Sequence, residues 1–377
     1  MNFKISCLVI CASLASSLNS CKRRGEETRA PGQAVAPATS TATPDSTPNA
    51  DQANNTTDSS SEVSSGGRVS ALNLVSSQGT SPMLSAVPDP TVTPSNPYVI
   101  NVKEYGAKGD GAANDADAIK GAYLAATQSG KPLYLPTGNY YVGTTQLNFL
   151  LTDVRNTGVT IYGDGVGRTI INAAAVTTSP QVLFNCTSKP CDQVFLSIKE
   201  IGFFTNTTGT GVQFGSQNYS DPINEPKIDL MVLNFSKAAT AVAVEMNFVL
   251  NGEIRLVANT AAAGTSLRLR QAKFNHFTGS YGGPGGTSVH LTAGFNGGNV
   301  FSALDMENVA VCVRSDNPQS QANTFIGGTW NYSKFGVVST AGRRLVVINP
   351  EVNPSPPAKV ANFVGTGVGF SMFPAAL

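Results

Sequence analysis

Asp305 and Glu307 form the acidic pair best spaced for chemistry. Two positions apart on a strand, they share one face with Cα atoms about 7 Å apart. Carboxyl groups about 6.5 to 9.5 Å apart can flank a glycosidic bond and leave room for a water, the inverting arrangement of hydrolysis. A repeat described below brings Tyr281, Trp330 and Tyr332 near them, and aromatic rings beside carboxylates suit a sugar-binding groove. The stronger reading of the same acids is ordinary solubilising charge on an exposed strand. A second group is Arg268, Arg270, His290, Cys312 and Arg314, with Glu245 beside Arg270. If Leu267, Leu269, Val289, Leu291, Val311 and Val313 point inward, strand alternation turns this group outward, where Arg268 and Arg270 could hold a sugar carboxylate. The plainer reading is a surface charge ladder of little energetic weight.

Positioning such groups falls to a repeat. Asn275-His-Phe277, Asn299-Val-Phe301 and Asn323-Thr-Phe325 recur every 24 residues, and Asn251 stands 24 residues before the first. Alternating strands opening at Thr240, Thr265, Thr287, Ala310 and Phe335 keep step with them. Two registered columns in one period predict stacked coils of short strands, hydrogen-bonded to their neighbours at about 4.8 Å. Stacking places Phe277, Phe301 and Phe325 in an internal aromatic column. It places Asn275, Asn299 and Asn323 at a bend, where amides can satisfy backbone groups of their own and adjacent coils. Strict register would put Glu253 in the Phe column, so the coil at Asn251 is expected to be shifted, with Phe248 and Leu250 as its inward pair.

The repeats need a start. Tyr98 to Val142 reads as a strand ending near Tyr105, a turn through Gly106, Gly109 and Gly111, a helix, and a second strand from Tyr140 to Val142. Asn114 or Asp115 can cap the helix, whose apolar side is Ala118, Ile119, Ala122, Tyr123 and Ala126 and whose end is Gly130. NVKEYGAKGDG, the spaced Asp115 and Asp117, YLPTGNYYV and VTIYGDGVGRTII together resemble the amino-terminal signature of the pectate lyase superfamily, over about Tyr98 to Asn172. The resemblance implies an all-β, right-handed parallel β-helix solenoid with a short N-terminal capping helix, in which the GDG turn is structural. It also implies action on acidic polysaccharide or related glycans. Hydrolysis would use a carboxyl pair, and elimination would use a base with calcium or an Arg or Lys to hold the uronate charge. The Asn-Thr-Asp, Asp-Asp, Gly-His-Gly and Arg-Ile-Lys segments of polygalacturonase-like hydrolases are absent, as is the clustered-Asp pattern of calcium lyases. His276 lies in Asn-His-Phe and His290 in Ser-Val-His-Leu, neither flanked by glycine.

The chain ahead of this domain has a different character. Residues 1–21 carry Lys4, an apolar segment from Ile5 to Leu18 and then Leu18-Asn-Ser-Cys21, which resembles a bacterial lipobox with Cys21 as the lipidated first mature residue. An ordinary signal peptide cut nearby is the alternative, and either takes the protein out of the cytoplasm into the cell envelope or beyond. Residues 22–97 are rich in Ser, Thr, Ala and Pro with hardly an aromatic residue, a disordered tether with a mean reach on the order of 50 Å. Residues 98–377 are the solenoid domain. A net charge of +1 argues against a nucleic-acid partner, which needs a concentrated basic surface. Cys186 and Cys191 could close a small loop disulfide, and no His or Cys spacing suggests zinc. No metal or other cofactor is predicted, and calcium enters only with the elimination reading. Two readings of different class follow. One is a membrane-anchored lipoprotein that binds and cleaves surface polysaccharide as a lyase or glycoside hydrolase. The other is a non-catalytic adhesion or structural module. Oligomeric state stays open.

Overall fold

The computed structural model describes residues 96–151, 158–185, 195–215, 222–340, 345–354, 363–365 and 371–373. The expected tether of residues 22–97, apart from Asn96 and Pro97 at its end, lies outside them, as do Cys21 and the expected disulfide between Cys186 and Cys191. The described chain is a parallel β-solenoid whose strands line three faces, each strand pairing with the equivalent strand one coil away.

The first face runs through Leu133–Leu135, Val159–Gly163 and the opening halves of Leu196–Thr205, Lys227–Asn234, Glu253–Thr260 and His276–Gly282. It continues through Val300–Ser302 and Thr324–Ile326. The long strands bend into the second face, which Asp305–Ser315 and Thr329–Ser339 enter in turn. The third face stacks Val182–Asn185, Thr210–Phe214, Val242–Asn247, Thr265–Arg270 and Thr287–Leu291. Residues in the left-handed region make the corners. Asn251, Phe274, Gly298 and Ala322, with φ of 55, 56, 66 and 55°, recur at the corner that leads into the first face. Three of the four are not glycine, so the surrounding coils must hold a conformation that a side chain disfavours.

The ladder beside this corner explains how. Asn275 Nδ2 donates to Asn299 Oδ1 at 3.0 Å and to the Val249 carbonyl at 2.9 Å. Asn299 Nδ2 repeats both contacts, to Asn323 Oδ1 at 2.8 Å and the Ala272 carbonyl at 2.9 Å. All three asparagines are buried, so each amide satisfies backbone that water cannot reach. Phe277, Phe301 and Phe325 stack inward with centroids 4.7 and 4.3 Å apart. One further column and one further buried asparagine had no repeat to announce them. Phe149, Phe184 and Phe214 stack at 4.8 Å per step, and buried Asn296 accepts from Ala272 N–H and donates to the Leu269 carbonyl.

Where the sequence broke register, the coil is shifted by one residue. Ile254 pairs with Phe277 and Glu253 with His276, leaving the carboxylate outside. The inward residues are Val249 and Ile254 rather than Phe248 and Leu250, because Phe248 occupies a left-handed corner at φ 53°. Gly252, not Asn251, takes the ladder position, donating its N–H to Asn275 Oδ1 at 2.8 Å.

At the start of the solenoid, strand Ile100–Asn101 ends earlier than the expected Tyr105. The Asn101 side chain accepts from Lys103 N–H and tightens Val102–Tyr105 into a 3-10 turn closed by Gly106. Helix α1, Ala116–Ser129, follows and buries Ile119, Ala122, Tyr123 and Ala126 against the first coil, and Gly130 ends it in the left-handed region. Of the two capping candidates, Asn114 accepts from Ala116 N–H at 3.1 Å, and no side-chain cap bond comes from Asp115. Its two oxygens accept from Lys108 and Gly109 N–H at 2.7 and 2.9 Å, while Asp110 accepts from Ala112 and Ala113 N–H. The glycine turn is thus braced by its own aspartates.

Asn299→Ala would orphan the Asn275 backbone N–H and would remove one of two bonds each from Asn275 Nδ2, Asn323 Oδ1 and the Ala272 carbonyl. At about 1–3 kcal/mol for the unsatisfied group and about 0.5–1.5 kcal/mol for each further bond lost, we expect a loss on the order of 3 kcal/mol. Asn251→Ala, on an exposed side chain at a left-handed corner that asparagine tolerates better than alanine, should cost only about 1 kcal/mol. Urea unfolding of both variants, followed by circular dichroism, measures the contrast.

Candidate functional site

The acidic pair does not form the groove expected of it. Asp305 is half-buried, with Ser280 Oγ 3.4 Å from its Oδ2, and Glu307 is exposed. The strand slips register between Met306 and Val309, with Asn308 at φ 56°, so the two acids sit across a bulge and not on a plain alternating face. Trp330, Tyr332 and Tyr281 are 0% exposed, which overturns their role as sugar-stacking rings. Trp330 pairs in register with inward Met306, and its ring stands edge-on to Phe325 at 5.9 Å. The Tyr281 hydroxyl donates to the Thr278 carbonyl, and burial pushes its pKa up.

The second group assembles on the outer side of the third face. Glu245 pairs in register with Gln213 on one side and Arg268 on the other, and Arg268 pairs in turn with His290 and His290 with Arg314. One side chain per coil therefore builds a row of glutamine, carboxylate, guanidinium, imidazole and guanidinium. Asn247 and Arg270 form a second, shorter row beside it. Parallel pairing dictates this order, because each residue meets its equivalent one coil away.

Glu245 is fully buried, which corrects the expected surface ladder. Arg268 donates from Nε to Glu245 Oε2 at 2.7 Å and again from Nη2, and the Thr210 hydroxyl donates to the same oxygen at 3.1 Å. Arg270 Nε lies 3.1 Å from Oε1, a charge contact without hydrogen-bond alignment. A buried carboxylate held by two guanidiniums is costly to leave unpaired, so it fixes both arginines in place. Beside it Asn247 is 0% exposed with neither amide atom bonded. Cys312 is not part of the outer row. It is fully buried, and burial pushes its thiol pKa well up.

At the other end, Asp316 accepts from Arg314 Nε at 2.8 Å and contacts His290 Nε2 at 2.9 Å. Burial raises the Asp316 carboxyl, but hydrogen bonds from His290 and Arg314 outweigh it and leave the pKa below the usual range. Burial lowers the His290 pKa, reinforced by Arg314 and Arg268 and only partly offset by Asp316. The two rows together with Asp316 thus hold three guanidiniums against two carboxylates around a neutral imidazole. Sequence periodicity located these positions; it could not find Thr210, Asn247 or Asp316, which enter from register and burial.

Calcium does not fit here. It takes six to eight oxygen ligands, whereas Glu245 and Asp316 are each held by arginine, and among the described residues no three His, Cys, Asp or Glu side chains converge. Nor is any described helix long and apolar enough to cross a membrane.

Residues 99–282 match the family described as Rhamnogalacturonase A/epimerase, pectate lyase-like. Residues 99–282 are accordingly pectate lyase-like, within a parallel β-helix that continues through the described region. Among relatives, Mannuronan C5-epimerase AlgE1 of Azotobacter vinelandii is 42% identical over 80 residues, which are 20% of this chain and 5% of that protein. Alginate lyase 7 of the same organism is 42% identical over 72 residues, 19% of this chain and 8% of its own. The chain therefore matches only a small part of either. Among solved structures, the A-module of the A. vinelandii epimerase AlgE6 is 14% identical, covering 73% of this chain and 93% of its own at a TM-score of 0.38. The Streptococcus pneumoniae surface protein and adhesin PfbA is 12% identical, covering 73% and 86% at 0.43.

His290 sets an acid limit. With its folded pKa below the ordinary 6.5, the unfolded chain binds a proton that the folded chain refuses, so stability falls as pH drops through 6.5. Asp316, held below 3.8, adds loss only in that lower range. Melting temperatures from pH 7.5 to 5 should fall for the wild type, and His290→Gln should flatten that slope.

Proposed function

We propose that the protein binds an acidic, uronate-containing polysaccharide along the third face. The observation that carries this reading is the row Arg268–His290–Arg314 with Arg270 beside it, fixed from beneath by buried Glu245. Arg314, bonded to Asp316 through Nε, can turn its two Nη groups to a sugar carboxylate, Arg268 has Nη1 beyond its bonds to Glu245 and Thr210, and a row running across coils follows a linear polymer. Held by the carboxylate, the arginines lose little freedom on binding. The epimerase and lyase relatives, which by name act on mannuronan and alginate, support an acidic glycan over a neutral one. We place the chain in the bacterial cell envelope, held through lipid on Cys21 and the tether of residues 22–97. Catalysis by Asp305 and Glu307 is the second reading, favoured only by their shared strand.

Arg314→Gln leaves Glu245 paired and should weaken polyuronate binding about tenfold, as loss of one charge-assisted hydrogen bond implies. Wild-type affinity should fall steeply between low and high salt. Isothermal titration of the full chain with oligouronates and a neutral glucan checks both, and equal binding of the two sugars, or an unchanged affinity in Arg314→Gln, defeats the proposal. New reducing ends or unsaturated-uronate absorbance that vanish in Asp305→Ala would establish turnover instead. Cys21→Ser should abolish incorporation of labelled fatty acid and release the protein from membranes.

A further inference from the structure

On the outer side of the first face, away from the arginine row, three side chains from three coils form a relay. Glu253 pairs in register with His276, and His276 with Val300, two residues before Ser302. His276 Nδ1 lies 3.1 Å from Glu253 Oε2, and Nε2 lies 2.6 Å from Ser302 Oγ. The tautomer with its proton on Nδ1 satisfies both contacts, donating to the carboxylate and accepting from the hydroxyl. A hydroxyl on one imidazole nitrogen and a carboxylate on the other is the arrangement that activates a serine nucleophile, whatever the fold or chain order.

The surroundings suit such a role. The His276 side chain is 43% exposed and that of Glu253 70%, so the relay opens to solvent. Ser302 ends its strand immediately before Ala303, whose φ of 51° turns the chain from the first face to the second. Ile326, in register with Ser302 on the next coil, is 41% exposed. Ile326 can cover a short acyl group on Ser302, while the open face admits an alcohol of any size.

We propose that Ser302, His276 and Glu253 form an esterase site for short-chain O-acyl esters of a bulky alcohol, with O-acylated sugar as the substrate class. Ser302 Oγ attacks the ester carbonyl carbon as its proton passes to His276 Nε2. The bond from carbonyl carbon to the alcohol oxygen breaks, and the alcohol leaves with that proton. Water then gives a proton to His276 and attacks acyl-Ser302, releasing the carboxylic acid and restoring the hydroxyl. Glu253 is a positioning residue, holding the ring tautomer and steadying the imidazolium. The site is independent of glycan binding on the third face.

A fluorophosphonate probe applied to the full-length wild type, followed by peptide mass mapping, tests it first. One adduct on Ser302 is expected. His276→Gln should slow both labelling and p-nitrophenyl acetate hydrolysis at least about 100-fold, and Ser302→Ala should abolish both. Glu253→Gln should slow them about tenfold, with Glu253→Asp retaining more activity, a rescue that a merely structural side chain would not give. A wild type that carries no adduct on Ser302, or an equal labelling rate in His276→Gln, overturns the proposal. The wild-type adduct decides the matter even if a variant fails to fold.

Discussion

Backbone pairing between successive coils is the constraint on which everything else rests. Each strand meets its equivalent one coil away, in parallel and in register, so a side chain's neighbours are its own counterparts about 4.8 Å above and below. Every column must therefore tolerate self-stacking. Aromatic rings do so face to face, as at Phe277, Phe301 and Phe325, and burying each is worth roughly 2–3 kcal/mol. Asparagines do so because an amide both donates and accepts, so a ladder of any length closes without an unmatched group.

Charges cannot stack on like charges at that spacing without penalty, and the third face shows the result. Glu245, Arg268, His290 and Arg314 place a neutral ring between two cations and a carboxylate beneath the first. The depressed pKa of His290 is part of this order: burial is its main cause, and a protonated ring would also sit between two guanidiniums. Burying Glu245 gives up hydration that an exposed pair would keep, and such burial rarely increases stability over an apolar residue. Its consequence is positional: two arginine side chains, ordinarily mobile, are tethered to one oxygen pair.

The legible parts of the sequence were those that repeat. Three Asn-x-Phe segments at constant spacing disclosed the coil length, and the glycine turn with its helix disclosed the cap. Register was legible only where spacing held. The coil at Asn251 is one residue out of step, and Phe248 turned outward at a left-handed corner that no residue type announces. Trp330, Tyr332 and Tyr281 looked like a sugar platform because large aromatics in a polar sequence attract that reading. Their parity on the strand places them inside, where they fill the same core as the Phe column. The serine relay escaped notice because its members lie on three coils with unequal spacing, and only the backbone pairing brings them together.

That last point separates the acids that are positioned from those that are not. Glu253 pairs directly with His276, and His276 with Val300, so backbone hydrogen bonds place the carboxylate and the imidazole and bring Ser302, at the end of the Val300 strand, beside the ring. Arg268 and Arg314 are fixed in the same way. Asp305 and Glu307 straddle a register slip, where no such ladder ties one carboxyl to the other. A catalytic pair needs its separation held within a fraction of an ångström, and a bulge can do that only with side-chain braces. Asp305 has Ser280 at 3.4 Å, a long contact, and Glu307 is exposed. On a solenoid, chemistry therefore belongs where residues from successive coils meet in register. That condition is satisfied on the outer sides of the first and third faces.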